Sequence, residues 1–281
     1  MSERAIHLAG VSYRVDDTSH PEFWDRLASG TFEPATVAAL AALCGPGRNV
    51  VDVGAWLGPF TLLAAALGAR VLAYEPDPVA RAGLWANLAL NPTLSDAIEV
   101  RAEALWAGDG SALLDGGDHG LGNSLSSLSP ARTGAETGGP TGVRLAEVRT
   151  VDAARAAAEP AWRDAAVVKI DIEGGEYTVV PALAAFLAEH RPSVLLSLHS
   201  FDLRDLRYGR FHPRTTLKRL AGARRRVRLF RALRHYGSWH LATGDAGQPW
   251  RRLSRRDLAA LAVRLSECDL LLGGPDAWPQ N

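Results

Sequence analysis

Excess charge of either sign is absent from this chain: 281 residues carry 31 Lys+Arg and 31 Asp+Glu. A net charge of zero excludes a protein that works by coating nucleic acid or an anionic membrane. Lysine is scarce, since Lys169 and Lys218 are the only two and arginine supplies the remaining positive charge. Cys44 and Cys268 match no zinc or redox spacing and make no disulfide framework, so they read as small apolar residues in a reducing compartment. The amino-terminal stretch, residues 1–7, lacks the basic flank and long apolar core of a secretory signal, and the expected location is cytoplasmic. Residues 53–69 are uncharged, but Gly54, Gly58, Pro59 and Gly68 punctuate them, so a strand, a turn and a helix are expected there rather than a membrane span. What the chain does have is 47% apolar residues, enough for a sizeable core.

From residue 49 short apolar runs alternate with helical stretches, which predicts an α/β fold: a Rossmann-like, mostly parallel sheet with helices on both faces. Strands are expected at 49–53, 70–74, 98–102, 165–171 and 192–199, and helices at 59–67, 78–90, 151–158 and 176–190. Farther on, helices near 213–220 and 254–266 and strands at 227–230, 239–242 and 269–272 complete the pattern. Residues 108–142 are rich in Gly, Ser, Thr and Pro and form an insertion, either a functional flap or a partly disordered loop. Residues 1–48 read as an N-terminal helical cap, with Phe23, Trp24 and Leu27 on one apolar face and Val37, Leu40 and Leu43 on another. The catalytic domain is then 49–281.

In an open α/β sheet, ligands sit at the carboxyl ends of the strands. After the first strand stand Asp52, Gly54, Ala55, Trp56 and Gly58. Glycines four apart are not the spacing that seats a pyrophosphate, and Asp52 would repel one while suiting an ammonium or sulfonium. After the second strand, Glu75 and Pro76 follow Tyr74, and an acid there can accept both ribose hydroxyls of a nucleoside. Together these features describe a site for S-adenosylmethionine. Glu103 and Ala104, after the third strand, are placed to meet the adenine ring. The plainer alternative makes Asp52 a helix cap and Glu75 and Glu103 solvated turn residues.

The chain resembles the FkbM family of S-adenosylmethionine-dependent methyltransferases. The resemblance is carried by Val51-Asp52-Val53-Gly54-Ala55, Tyr74-Glu75-Pro76-Asp77, Ser124-Leu125-Ser126-Ser127, Val148-Arg149-Thr150-Val151-Asp152 and the run from Val168 through Lys169, Asp171 and Glu173 to Glu176. It implies a class I methyltransferase domain with a seven-stranded sheet whose last strand is antiparallel, and methyl transfer to an oxygen of a small metabolite, a natural product or a sugar. Trp56 departs from the family, which commonly has asparagine there, and suggests an indole lining the site. The resemblance alone places Glu33 at the cofactor mouth.

An aliphatic hydroxyl is a poor nucleophile at neutral pH, so a base or a metal ion must remove or polarise its proton. Lys169, Asp171 and Glu173 share one side by strand periodicity, with Glu176 one helical step beyond. Asp171 is expected to face the methyl donor and to orient the hydroxyl or act as base. A second version has Asp171 and Glu173 bind Mg²⁺, although two carboxylates alone make an incomplete site. In the plainest version Lys169 pairs with a carboxylate and Glu173 or Glu176 caps a helix. His199, at the end of an apolar strand, is a candidate base or substrate ligand, and His212 is its rival. Ser124 to Ser127 could close over the cofactor.

The arginines from 224 to 231 interleave with apolar residues as on a half-exposed strand, which favours a solvated face over a nucleic-acid surface. The expected partner is therefore a small-molecule hydroxyl substrate, with neither nucleic acid nor membrane. Trp24 and the C-terminal strand are each candidates for a homodimer interface. The alternatives are an N-methyltransferase or RNA methyltransferase on the same fold, or a cofactor-binding partner protein without catalysis.

Overall fold

The computed structural model describes residues 2–129, 145–199, 213–244, 249–263 and 267–273. It opens not with helices but with a hairpin of β1 (Glu3–Leu8) and β2 (Val11–Asp16). Ile6, Leu8, Tyr13 and Val15 point inward at every second position, the period of a strand. Ala9 and Gly10 both sit at positive φ, as a tight type I′ connection requires. The expected all-helical cap is thus corrected: only its second half is helical, in α1 (Pro21–Ala28) and α2 (Pro34–Leu43).

The α/β core follows as β3 (Asn49–Val53), α3 (Pro59–Ala66), β4 (Arg70–Tyr74), α4 (Pro78–Ala89), a short α5 (Pro92–Ser95) and β5 (Ile98–Arg101). Next come β6 (Ala104–Trp106), β7 (Gly110–Asp115), β8 (Ser127–Ser129) and β9 (Leu145–Asp152), which pair in a second sheet in the order β6-β9-β7-β8. The described part of the 108–142 insertion contributes strands, and residues 130–142 lie outside the described residues. The helix expected at 151–158 is corrected: residues 151–152 end a strand before only one helical turn, α6 (Ala153–Ala156).

After α7 (Pro160–Arg163) and β10 (Ala165–Ile170), the expected helix at 176–190 is two, α8 (Glu176–Ala182) and α9 (Ala184–His190), broken beside Pro181. Then follow β11 (Ser193–Leu198), α10 (Pro213–Ala232), β12 (Ser238–Ala242), β13 (Trp250–Arg252), α11 (Arg255–Val263) and β14 (Cys268–Gly273). The arginine run lies inside α10 and not on a strand. Arg226 is the buried exception, its guanidinium donating to the Tyr177 hydroxyl at 3.1 Å and the Leu261 carbonyl at 3.4 Å.

The main sheet has eight described strands rather than seven, in the order β13-β12-β14-β11-β10-β3-β4-β5. From β5 to β11 the neighbours are parallel, while β14 runs antiparallel to β11 and to β12, and β13 antiparallel to β12. The chain leaves β3 toward β4 and β5 on one side and later returns to β10 and β11 on the other. The switch point therefore falls between β3 and β10, where a crevice opens at the carboxyl ends.

One face of the sheet packs Val51, Leu72, Val168 and Ile170 on α8 to α10. The opposite face packs Val50, Val71 and Val167 on α3, with Ile6, Val15 and Trp24 in the same cluster. Trp24 and β14 are thereby corrected as interface candidates, since Trp24 has no exposed surface and β14 lies between two strands.

Candidate active site

A cavity of about 440 Å³ lies at the switch point, within the range that holds a nucleoside-sized ligand. One end is built by β3, β4 and the second sheet. Gly54, at φ +88°, is required there: a Cβ would stand 1.9 Å from the Asp171 carbonyl oxygen, so the loop after β3 could not pack on the loop after β10. Trp56 is also left-handed, and its backbone N–H donates to Glu75 Oε2 at 2.6 Å. The Asp77 N–H donates to the other Glu75 oxygen at 2.8 Å, so the buried carboxylate is fixed at the cavity wall with lone pairs to spare. Burial pushes the Glu75 pKa up to about 7, against the pull of those two N–H donors.

Glu103, Ala104, Leu105 and Trp106 line the same cavity, as do Leu114 and Leu128 of the second sheet. The Trp56 indole lines the cavity and donates to the Gly122 carbonyl at 2.9 Å. Ala55 and Pro76 lie on the wall as expected, and so do Ser124 and Ser126.

Asp77 was given no site role from sequence, yet it ties the start of α4 to the loop before β8. One of its oxygens accepts from the N–H groups of Val79 and Ala80 and caps α4, and the other accepts from the Gly122 N–H at 2.7 Å and the Ser126 hydroxyl at 2.9 Å. Its signal was an Asp directly before a helix-opening proline.

Asp52 departs from expectation. It is the cross-strand neighbour of Lys169, and its carboxylate turns away from the cavity wall to accept from the Thr61 hydroxyl at 2.6 Å and pair with Lys169 Nζ at 3.3 Å. It holds the lysine in place of the ligand.

Lys169 Nζ also lies 3.6 Å from Asp171 Oδ2, beside the Gly54 carbonyl at 3.4 Å. Burial opposes the lysine charge, but Asp52, Asp171 and Glu33 more than offset it and raise its pKa. Glu176 is fully buried and accepts from the N–H groups of Ile172 at 3.0 Å and Gly174 at 2.9 Å, so it braces the loop after β10. Its Oε1 meets His199 Nδ1 at 3.1 Å, and His199 Nε2 faces Glu173 at 3.4 Å and Asp171 at 3.8 Å. Burial works against the imidazolium, yet Glu176, Asp171 and Glu173 raise the His199 pKa to about 9. The ring therefore keeps its proton at neutral pH. Its rival His212 lies outside the described residues.

Phe23, Phe32 and Phe60 close the cavity, with Phe23 edge-on to Trp56 at 4.6 Å. Glu33 lines it from the turn before α2, and loss of water together with the Asp171 charge pushes its pKa to about 8. Ser197, Cys268 and Asp269 also reach the wall and were missed. Because β14 is antiparallel, its first residues, not its last, arrive at the carboxyl edge.

The donors fit S-adenosylmethionine: an acid for the ribose, apolar wall residues for the adenine and, among the described residues, no phosphate cradle. An open α/β sheet with this site at its switch point has the architecture in which nucleoside cofactors are held. The profile described as Methyltransferase FkbM domain matches residues 52–219, more than half of the chain, and the chain belongs to that family of S-adenosylmethionine-dependent methyltransferases.

Two ribosomal protein L11 methyltransferases of Bacillus cereus, from strains B4264 and ATCC 14579, are each 39% identical over 83 residues. Those residues are 28% of this chain and 26% of theirs, so the match spans about a quarter of the curated relatives. Among solved structures, methyltransferase FkbM from Methylobacillus flagellatus KT aligns with 90% of this chain and 60% of its own, at 13% identity and a TM-score of 0.43. Geranyl diphosphate methyltransferase in complex with GPP and sinefungin aligns with 95% and 88%, at 12% identity and a TM-score of 0.41.

Proposed function

We propose that the chain transfers the methyl group of S-adenosylmethionine to a hydroxyl of a small molecule, such as a natural product or a sugar. The observation that carries this is the placement of Asp171, beside Glu173 and His199, in one cavity with the ribose-type acid Glu75. When bound, S-adenosylmethionine supplies an electrophilic methyl whose carbon–sulfur electron pair stays on sulfur, so the chain must chiefly hold an oxygen in line behind it.

Glu75 holds the ribose, the segment from Glu103 to Trp106 takes the adenine, and Asp171 offsets positive charge at the methionine end. Asp171 accepts the proton of the acceptor hydroxyl as its oxygen takes the methyl, and passes the proton to solvent. His199 suits this step less well as base, because Nδ1 meets Glu176 and Nε2 faces two carboxylates. Lys169 fixes Asp171 from below. Phe23, Phe32 and Phe60 exclude water from the transfer. Asp171, Glu173 and His199 together also offer oxygen and nitrogen donors to a hard cation such as Mg²⁺.

A carboxylate base beside the reacting oxygen favours a hydroxyl over an amine acceptor. The test is a screen of hydroxylated metabolites with methyl-labelled S-adenosylmethionine. The expected product is an alkali-stable methyl ether, and Asp171→Ala is expected to lower turnover by about 10²–10⁴-fold while leaving cofactor affinity within a few fold. Label found only in RNA or in protein amines, or full turnover by the variant, would contradict the proposal.

A further inference from the structure

We propose that Asp171, Glu173 and His199 bind a divalent metal ion of the Mg²⁺ and Mn²⁺ kind, and that this ion holds the acceptor oxygen. Read from sequence, Asp171 and Glu173 made an incomplete pair. The fold completes it by bringing His199 from the end of β11 against the loop after β10, so that one ligand atom from each residue lies within 4.8 Å of the others.

The spacing is that of ligands around an ion rather than of hydrogen-bonded partners. A charge-assisted N–H···O bond closes to about 2.7–2.9 Å, whereas His199 Nε2 stands 3.4 Å from Glu173 Oε1 and 3.8 Å from Asp171 Oδ1. Bonds of about 2.1 Å to one central ion put neighbouring ligand atoms roughly 3.0 Å apart at a right angle and roughly 3.4 Å apart at a tetrahedral angle. A small inward movement of the side chains, with release of the His199 Nε2 proton to water, seats an ion there.

The histidine is also held as metal-binding histidines are. Its Nδ1 meets the buried Glu176 carboxylate at 3.1 Å, and Glu176 is itself pinned by two backbone N–H groups, which aims Nε2 at the two other acids. Glu173 takes a left-handed backbone, φ +50°, at the turn that presents its carboxylate to the same point. Two carboxylate oxygens and one imidazole suit Mg²⁺ or Mn²⁺ better than a thiolate-seeking metal.

The ion's role rests on the methyl-transfer function. An acceptor hydroxyl bound to it releases its proton more readily to water, and the resulting oxygen takes the methyl group.

The deciding experiment titrates Mn²⁺ into the full chain without S-adenosylmethionine or acceptor and reads free Mn²⁺ by electron paramagnetic resonance. Saturable binding at a single site, displaced by Mg²⁺, is expected. Glu173→Gln and Asp171→Asn should abolish it and Glu176→Gln should weaken it by about 10–100-fold, with thermal melts confirming that each variant is folded. Free Mn²⁺ throughout at millimolar metal, or binding that survives both Glu173→Gln and Asp171→Asn, would overturn the site. Turnover that persists undiminished after chelation would overturn the ion's role. Mn²⁺ bound by a chain that fails to bind S-adenosylmethionine would instead contradict the methyl-transfer function and leave the metal site standing.

Discussion

At the scale of single residues, the acids of this chain divide by what they face. Glu75 and Asp171 were legible in the sequence because each directly follows a β-branched or apolar strand, where a charge has no structural use unless a ligand or partner meets it. Asp52 satisfies the same rule, and the structure spends it on Lys169 and Thr61. Strand position alone does not say whether an acid turns toward the crevice or toward its cross-strand neighbour.

Glu75 makes a pH prediction. Its carboxyl, ordinarily near 4.5, is raised to about 7 in the folded chain. The native state therefore holds its proton longer than the unfolded state, and this group costs the ligand-free chain stability as pH rises from about 4.5 to about 7. Cofactor binding needs the ionised form to accept two ribose hydroxyls, so affinity should fall by up to about tenfold per pH unit below 7. Titrations between about pH 5.5 and 8 check this: Glu75→Gln should flatten the Glu75 contribution, and a wild-type affinity independent of pH would contradict it.

At the scale of elements, β3 through β5 with α3 and α4 were legible to within a residue or two, because apolar runs, glycine turns and prolines at helix starts all agree there. The hairpin at 3–16 was not, since its alternation is short and the aromatic spacing of α1 dominated the window. The strand at Gly110–Asp115 was hidden by small polar residues, and α10 by arginines on its buried face as well as its exposed ones. Arg226 is buried and Val227 is exposed, so polarity there no longer reports which way a residue points.

Asp77 ties α4 to the insertion, and its replacement separates two effects. Asp77→Ala removes a helix cap worth about 1 kcal/mol, which should lower Tm by about 2–4 °C. It also releases the Gly122 N–H and the Ser126 hydroxyl, so cofactor affinity should fall and amide exchange at Gly122 and Leu125 should accelerate. A lowered Tm with unchanged affinity and exchange would mean that the insertion does not depend on Asp77.

At the scale of the whole molecule, the N-terminal segment is part of the core. Asn87 of α4 and Asn91 at the start of α5 bond to the backbone of Asp16 and Arg14, and Ile6 and Val15 share a cluster with Leu62 and Leu63. Ile6→Ala should therefore cost about 2–5 kcal/mol in a single cooperative denaturant transition; a separate early transition that leaves the sheet unaffected would mark an independent unit. The net charge of zero also has a spatial form: exposed arginines populate α10, while Glu33, Glu75, Asp171, Glu173 and Asp269 gather around the cavity. A site so rich in acid suits a sulfonium ligand, and none of its described walls offers a phosphate cradle.

The most direct measurement is a calorimetric titration of S-adenosylmethionine into the wild-type chain and into Glu75→Gln at about pH 8, where the Glu75 carboxyl is ionised. The expected result is saturable binding at a single site by the wild type and a loss of about 1.5–3 kcal/mol, roughly 10–100-fold in affinity, in the variant. No heat of binding to the folded wild type at millimolar ligand, or equal affinity for the two chains, would contradict a cofactor held at the switch point by Glu75.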